Sequence, residues 1–270
     1  MKIFNDITGR YIDLPEEPRI VSLAPSNTDT LYQIGAWDLV VGVSLYCRYP
    51  READEKPRVG AYLKVNYRLL DKLKPDIIFT TTGVQRGLNE ELVGRGYPVY
   101  PLPLPLSHYG ILENMSILAS ILDRIDRAIE RIDYYNRILS EIRGRLDYNV
   151  YYEIDFMDPY TVGRYSYITF GLKHLGLRNI FADIDSSYFT PSSEQILERD
   201  PDVLIFEMNK ARPMTLDKLI EWYRDRGLNG LRALREGRVI ILDQDTLAHY
   251  GPRFIDSLRD LYRMLQGIDD

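Results

Sequence analysis

Apolar positions along this chain follow two rhythms. In the first, short apolar runs bounded by Pro, Gly and Asp alternate with amphipathic stretches. Residues 19–23, 39–44, 77–79 and 99–102 read as strands, and helices are expected at 66–72 and 89–95. A further helix follows Pro25, with Leu31 and Ile34 on its apolar face and Gly35 at its end. Ser26 and Asp29 stand at the spacing of a capping box for it. Ahead of these, residues 3–14 read as a hairpin turning at Thr8-Gly9.

The second rhythm runs from Ile111 to Leu146. Apolar residues recur there at alternating spacings of three and four, with no Pro. This predicts a long amphipathic helical region, broken near Asp123–Asp126, where acids can cap a second helix of about 22 residues and about 33 Å. The first rhythm then resumes. Strands are expected at 149–155, 203–206 and 239–242, and helices near 166–175, 192–199, 216–224 and from Pro252. Strands alternating with helices imply mostly parallel sheets with both faces covered. The expected fold is therefore α/β: two Rossmann-like lobes with mostly parallel central sheets, joined by one long α-helix. The divisions fall at 1–107 for the N-terminal lobe, 108–147 for the helical region and 148–270 for the C-terminal lobe.

Two stretches repeat each other. "YLKVNYRLLDKLKPDIIF" and "YFTPSSEQILERDPDVLIF" align on Pro75 and Pro201, 126 positions apart. At that offset Tyr62 meets Tyr188, the cap residues Asn66 and Ser192 coincide, and Glu194 falls on Arg68. Pro forces the preceding residue out of helix before the strand begins. The repeat suggests two similar lobes, with Tyr62 and Tyr188 opposed across a cleft of the kind ligands prefer.

Composition narrows the function. The net charge is −6 and no Lys/Arg cluster stands out, which argues against a nucleic-acid partner. One cysteine, Cys47, excludes a disulfide framework, and three histidines without zinc spacing offer no metal centre. No apolar run is long enough to span a membrane. The first residues lack the apolar segment of a signal peptide. The expectation is thus an extracytoplasmic protein if an export signal was removed, and a cytoplasmic one otherwise. No phosphate-loop, dinucleotide, nucleophile-elbow or zinc-protease motif occurs, so no catalytic residue is assigned and the chain is not expected to be an enzyme.

Four segments carry a family resemblance: "RIVSLAPSNTDTLYQIGAWDLVVGVSLYCRYP", "RVGAYLKVNYRLLDKLKPDIIF", "NIFADIDSSYFTPSSEQILERDPDVLIF" and "GPRFIDSLRDLYRML". Together they resemble the periplasmic solute-binding proteins with a single linking helix, which serve ABC importers of cobalamin, haem and ferric siderophores. The Ser44, Tyr46, Tyr49, Pro50 pattern is most similar to the cobalamin-binding members. The resemblance implies ligand-facing Tyr46, Tyr62, Tyr160 and Tyr188, with Asp245 and His249 in the last loop. Those members carry tryptophans at several of these places and an arginine at the last. Here tyrosines stand instead, or Thr81.

The resemblance further implies a monomer that delivers its ligand to a permease and its ATPase, with Glu194 at one docking position and Arg68 at the other in place of an acid. It implies no resident cofactor; the transported ligand would be cobalamin or another metal chelate. Opposed aromatics suit a flat corrin or porphyrin. Tyrosine oxygens also suit ferric iron, and His249 a haem iron or cobalt. Cobalamin, haem, an iron chelate, or a cytoplasmic corrinoid- or haem-handling role all remain open on these residues.

Overall fold

The computed structural model describes residues 1–268. The N-terminal hairpin pairs β1 (Lys2–Asn5) with β2 (Arg10–Asp13), and Gly9 takes the turn at φ 65°. The first lobe then supplies β3 (Ile20–Ser22), α1 (Pro25–Gln33), β4 (Val40–Ser44), β5 (Arg58–Gly60), α2 (Tyr67–Leu73), β6 (Ile77–Thr81), α3 (Arg86–Gly94) and β7 (Val99–Leu102). Its sheet runs β5-β4-β3-β6-β7 with every pairing parallel. All five residues of β6 are buried, as expected of a strand covered on both faces. Val21, Ile78, Leu70, Leu88 and Leu92 form the core on the α2–α3 side.

One local expectation fails. α1 begins at Pro25, one residue before the expected cap. Ala24 takes the cap position with no side-chain bond. Proline is pre-organised for the first helical position and needs no N–H partner, so it sets the start. Ser26 and Asp29 lie inside the helix, buried, and Gln33 Nε2 donates to Asp29 Oδ1 at 3.3 Å.

The helical region is α4 (His108–Ile121) and α5 (Ile125–Ile142), interrupted where Asp123 takes φ 53°. At 18 residues α5 is shorter than expected, about 27 Å. Gly144 at φ 63° turns the chain away, and its N–H bonds His174 C=O at 2.7 Å. The chain divides into two compact units: Met1–Pro105 with Tyr109–Tyr134, and Leu106–His108 with the chain from Tyr135 onward. The division falls within α5.

The second unit contains β8 (Asn149–Asp155), β9 (Pro159–Val162), α6 (Tyr167–Leu175), β10 (Arg178–Asn179), β11 (Tyr188–Phe189), α7 (Ser193–Arg199), β12 (Val203–Glu207), α8 (Leu216–Asp225), α9 (Arg232–Arg235), β13 (Val239–Leu242) and α10 (Arg253–Gln266). The sheet order is β11-β9-β8-β12-β13, with β10 paired to β8. β8, β12, β13 and β10 are parallel, while β9 and β11 add an antiparallel edge. Tyr151, Leu204, Phe206, Leu219 and Tyr223 pack between the sheet and α7–α9.

β8 also buries two acids on that same face. Glu153 accepts two bonds from Arg226, at 2.7 and 2.8 Å, one from Tyr151 OH at 2.6 Å and one from Trp222 Nε1 at 3.2 Å. Asp155 is paired with Arg212 at 2.8 Å. The two guanidinium groups lie 5.6 and 5.1 Å from the Trp222 ring centroid. A desolvated acid needs such a partner to stay charged.

The repeated Pro-Asp has a structural cause. Asp76 Oδ2 accepts the Arg19 N–H at 2.8 Å, and the Asp76 N–H returns to Arg19 C=O at 2.9 Å. In the second copy Asp202 Oδ2 accepts the Asn149 N–H at 2.7 Å, and the Asp202 N–H reaches Asn149 C=O at 2.8 Å. Arg19 immediately precedes the central strand β3, and Asn149 is the first residue of the central strand β8. The aspartate thus fastens β6 to β3 in one lobe and β12 to β8 in the other, at the amino end of each sheet. The helix before it ends alike in both, with Lys74 and Asp200 left-handed at φ 46° and 32°. Asp76→Ala should cost about 1–2 kcal/mol. Asp202→Ala should cost more, because Asp202 also binds Arg232 and the Asn149 side chain. Urea unfolding of the two variants measures both; equal costs would mean the extra partners contribute nothing.

Candidate functional site

In parallel α/β sheets the loops beyond the carboxyl ends of strands carry ligand sites. In the first lobe that edge is built on buried polar side chains. Gln85 Oε1 accepts from Thr81 N–H at 2.8 Å and Thr81 Oγ1 at 3.0 Å; Gln85 Nε2 donates to Leu23 C=O at 3.0 Å and Tyr62 C=O at 2.7 Å. One amide therefore ties the end of β6, the end of β3 and the loop after β5. Tyr62 OH lies 3.2 Å from Thr81 Oγ1. The Thr81 proton is committed to Gln85, so Tyr62 donates. Tyr62 is half-buried over Thr81, and its place follows from Gln85.

Tyr46 follows β4 and is exposed. Its loop is clasped from below: Arg58 donates to Ser44 C=O at 3.0 Å and Cys47 C=O at 2.6 Å. The buried Cys47 thiol accepts from Thr28 OH at 3.0 Å, and burial pushes it up, which makes it a poor nucleophile. Tyr49 turns the other way, its ring 5.8 Å from Tyr32. Of the Ser-x-Tyr-x-x-Tyr-Pro residues, Tyr46 is the exposed aromatic and Tyr49 packs.

In the second lobe Tyr160 on β9 and Tyr188 on β11 are brought together by a residue the sequence reading missed. Phe156, exposed in the β8–β9 turn, has its ring centroid 6.1 Å from Tyr160 and 6.3 Å from Tyr188. The signal for it was an aromatic between two acids, in "DFMDP", where a strand with buried acids ends. The 184–188 segment approaches β9 closely at Gly163, where a Cβ would stand 2.5 Å from Ser186 C=O and 2.6 Å from Ile184 C=O. Tyr167 OH donates to Leu247 C=O at 2.9 Å and is also hydrogen-bonded by Tyr188.

Asp245 and His249 share the loop between β13 and α10. Asp245 is half-buried and left-handed at φ 64°. His249 is buried, at 6% exposure. Beneath this loop lies Glu207, at the end of β12. Burial pushes its carboxyl up to about 7, against the pull of bonds from Leu247 N–H, Tyr152 OH and Ala248 N–H. Between its ordinary 4.5 and about 7 the folded chain therefore holds a proton that the unfolded chain has lost. This group's stabilising contribution is full below 4.5 and is lost as pH rises through about 7. Glu207→Gln should flatten that part of the stability-against-pH curve, as measured by urea midpoints across the window.

Glu194 is exposed in the first turn of α7, where a backbone N–H and the Ser192 hydroxyl hold its carboxyl below the usual range. Arg68 occupies the matching turn of α2 and is exposed. Among the described residues no three His, Cys, Asp or Glu side chains gather to hold a metal ion, and no helix is long and apolar enough to cross a membrane.

Each lobe is thus a mostly parallel α/β sheet with aromatic and polar loops beyond its carboxyl edge. The chain belongs to the periplasmic binding protein family, whose profile it matches over residues 20–246. It is 23% identical to an uncharacterised ABC transporter substrate-binding lipoprotein of Bacillus subtilis, over 95% of this chain and 83% of that one. It is 25% identical to a cobalamin-binding protein of Halobacterium salinarum, over 94% and 71%. Among solved structures, the apo periplasmic haem-binding protein RhuT of Roseiflexus sp. RS-1 shares the fold. Its TM-score is 0.79 at 21% identity, covering 94% of this chain and 99% of that one.

Proposed function

We propose that this chain is the solute-binding component of an ABC import system that takes up cobalamin or a related corrinoid and hands it to a permease. The observation that carries this reading is the aromatic cluster of Tyr160, Phe156 and Tyr188 at the edge of the second lobe, with ring centroids 6.1 and 6.3 Å apart around Phe156. Such a cluster suits one face of a flat macrocycle, and the tyrosine hydroxyls suit its amide rim. Tyr46 and Tyr62 are the corresponding residues of the first lobe, and Asp245 and His249 add polar groups. The cobalamin-binding relative from Halobacterium supports the choice.

Haem or a ferric siderophore is the second reading. It is favoured by tyrosine at Tyr62 and Tyr188, whose phenol oxygens suit ferric iron. Docking would use Glu194 and Arg68, one near each repeated helix start, and the opposite sign of Arg68 would call for an acid on the permease.

Titration with cyanocobalamin, hemin and a ferric siderophore, followed by calorimetry and absorbance, tests the proposal. Binding of cyanocobalamin in preference to the others supports it. A folded protein that binds none of the three rules out the ligand class.

A further inference from the structure

Glu207 ends β12 with no exposed surface. Its carboxylate faces four donors. Thr246 N–H reaches Oε1 at 3.2 Å, Leu247 N–H reaches Oε2 at 2.8 Å, and Ala248 N–H lies 3.2 and 3.1 Å from the two oxygens. Tyr152 OH completes the set at 2.9 Å. Three successive peptide N–H groups converging on one anion form a nest, a concave backbone shape that an anion holds together. Here the anion belongs to the protein.

The same loop is held from its other side, since Leu247 C=O accepts from Tyr167 OH. Asp245 immediately precedes the three N–H groups and His249 immediately follows them. Asp245 also keeps a left-handed backbone, φ 64°, which a side-chain-bearing residue retains only when its surroundings over-determine it. An acid is not a requirement of this strand position. The first copy of the repeat has Thr81 there, bonded to Gln85.

We propose that Glu207 is the positioning residue of the C-terminal half of the site: its carboxylate shapes the loop at 243–250 and so sets where Asp245 and His249 stand. This rests on the solute-binding reading above and adds to it a residue that touches no ligand.

The test uses the full chain, on the alkaline side of the Glu207 titration, with Glu207→Gln and Glu207→Leu. Glutamine keeps the volume but presents an N–H₂ to N–H donors whichever way it is turned. Amide hydrogen exchange at Thr246, Leu247 and Ala248 should quicken by about tenfold or more in both variants. Exchange in β8 and β12 should stay unchanged, which separates loosening of the loop from loss of the fold. Cyanocobalamin and hemin are the affinity probes, and whichever binds the wild type should bind each variant about tenfold more weakly.

Wild-type exchange at the three amides in Glu207→Gln would overturn the proposal, because a side chain that only fills space is replaced by its isostere. So would quicker exchange with unchanged affinity for the bound probe. If neither probe binds the wild type, the corrinoid and haem readings fall, and the exchange result alone decides whether Glu207 holds the loop. If a variant fails to fold, Tyr167→Phe removes the bond to Leu247 C=O from the opposite side. Exchange at the three amides should then stay slow, because Glu207 remains; quick exchange there would overturn its role.

Discussion

Arg226→Ala should lower the stability of the second lobe by roughly 3–5 kcal/mol, the cost of leaving a buried charge without its partner. Glu153 has no exposed surface, and Arg226 supplies two of its four hydrogen bonds. Tyr151 OH and Trp222 N–H would remain, but two neutral donors do not offset a desolvated carboxylate. The expected remedy removes both charges: Glu153→Gln with Arg226→Met should recover most of the loss, since the glutamine oxygen still accepts from Trp222 or Tyr151. The two tryptophans make the measurement specific, because Trp37 lies in the first lobe and Trp222 sits beside the pair. In a Trp37→Phe background, urea unfolding followed by fluorescence reports the second lobe. A cost under about 1 kcal/mol would place the pair with exposed salt bridges and refute the assignment.

The second large effect concerns ligand. Tyr62→Ala and Tyr188→Ala should each weaken binding of the preferred probe by roughly thirtyfold, about 2 kcal/mol, as aromatic residues at the centre of an interface do. The double variant should approach the sum in free energy, because the residues sit in separate lobes on separate supports, Thr81 for Tyr62 and Tyr167 for Tyr188. Neither hydroxyl anchors a strand, so unfolding midpoints should move little. Unchanged affinity in the double variant would remove both from the site.

The sequence revealed the lobes because their strands are short apolar runs between Pro, Gly and Asp. Val99–Leu102 and Val239–Leu242 fall where the pattern places them. The caps Asn66 and Ser192 are equally legible, since the cap chemistry is local. The two-residue strands β10 and β11 carry no periodicity and exist only because β8 and β9 offer free edges. The start of α1 was misjudged because a proline outranks a serine. At the site, single tyrosines could be named but not their supports. Gln85, Arg58 and Glu207 act through carbonyls and N–H groups far away in sequence, and no spacing rule records such bonds. Phe156 was hidden for a similar reason, its neighbours being assembled by an antiparallel edge that was not foreseen.

The paired aspartates have an evolutionary corollary. Asp76 and Asp202 fasten their sheets at one end, while Thr81 and Glu207, five residues on, close the same strands at the other. Mechanical integrity is thus written on one end of each strand and loop shape on the other. A lineage can redraft the second without touching the first. Exchanging the Thr81–Gln85 pair and the Glu207 loop between relatives should therefore reshape the carboxyl edge and leave the frame intact.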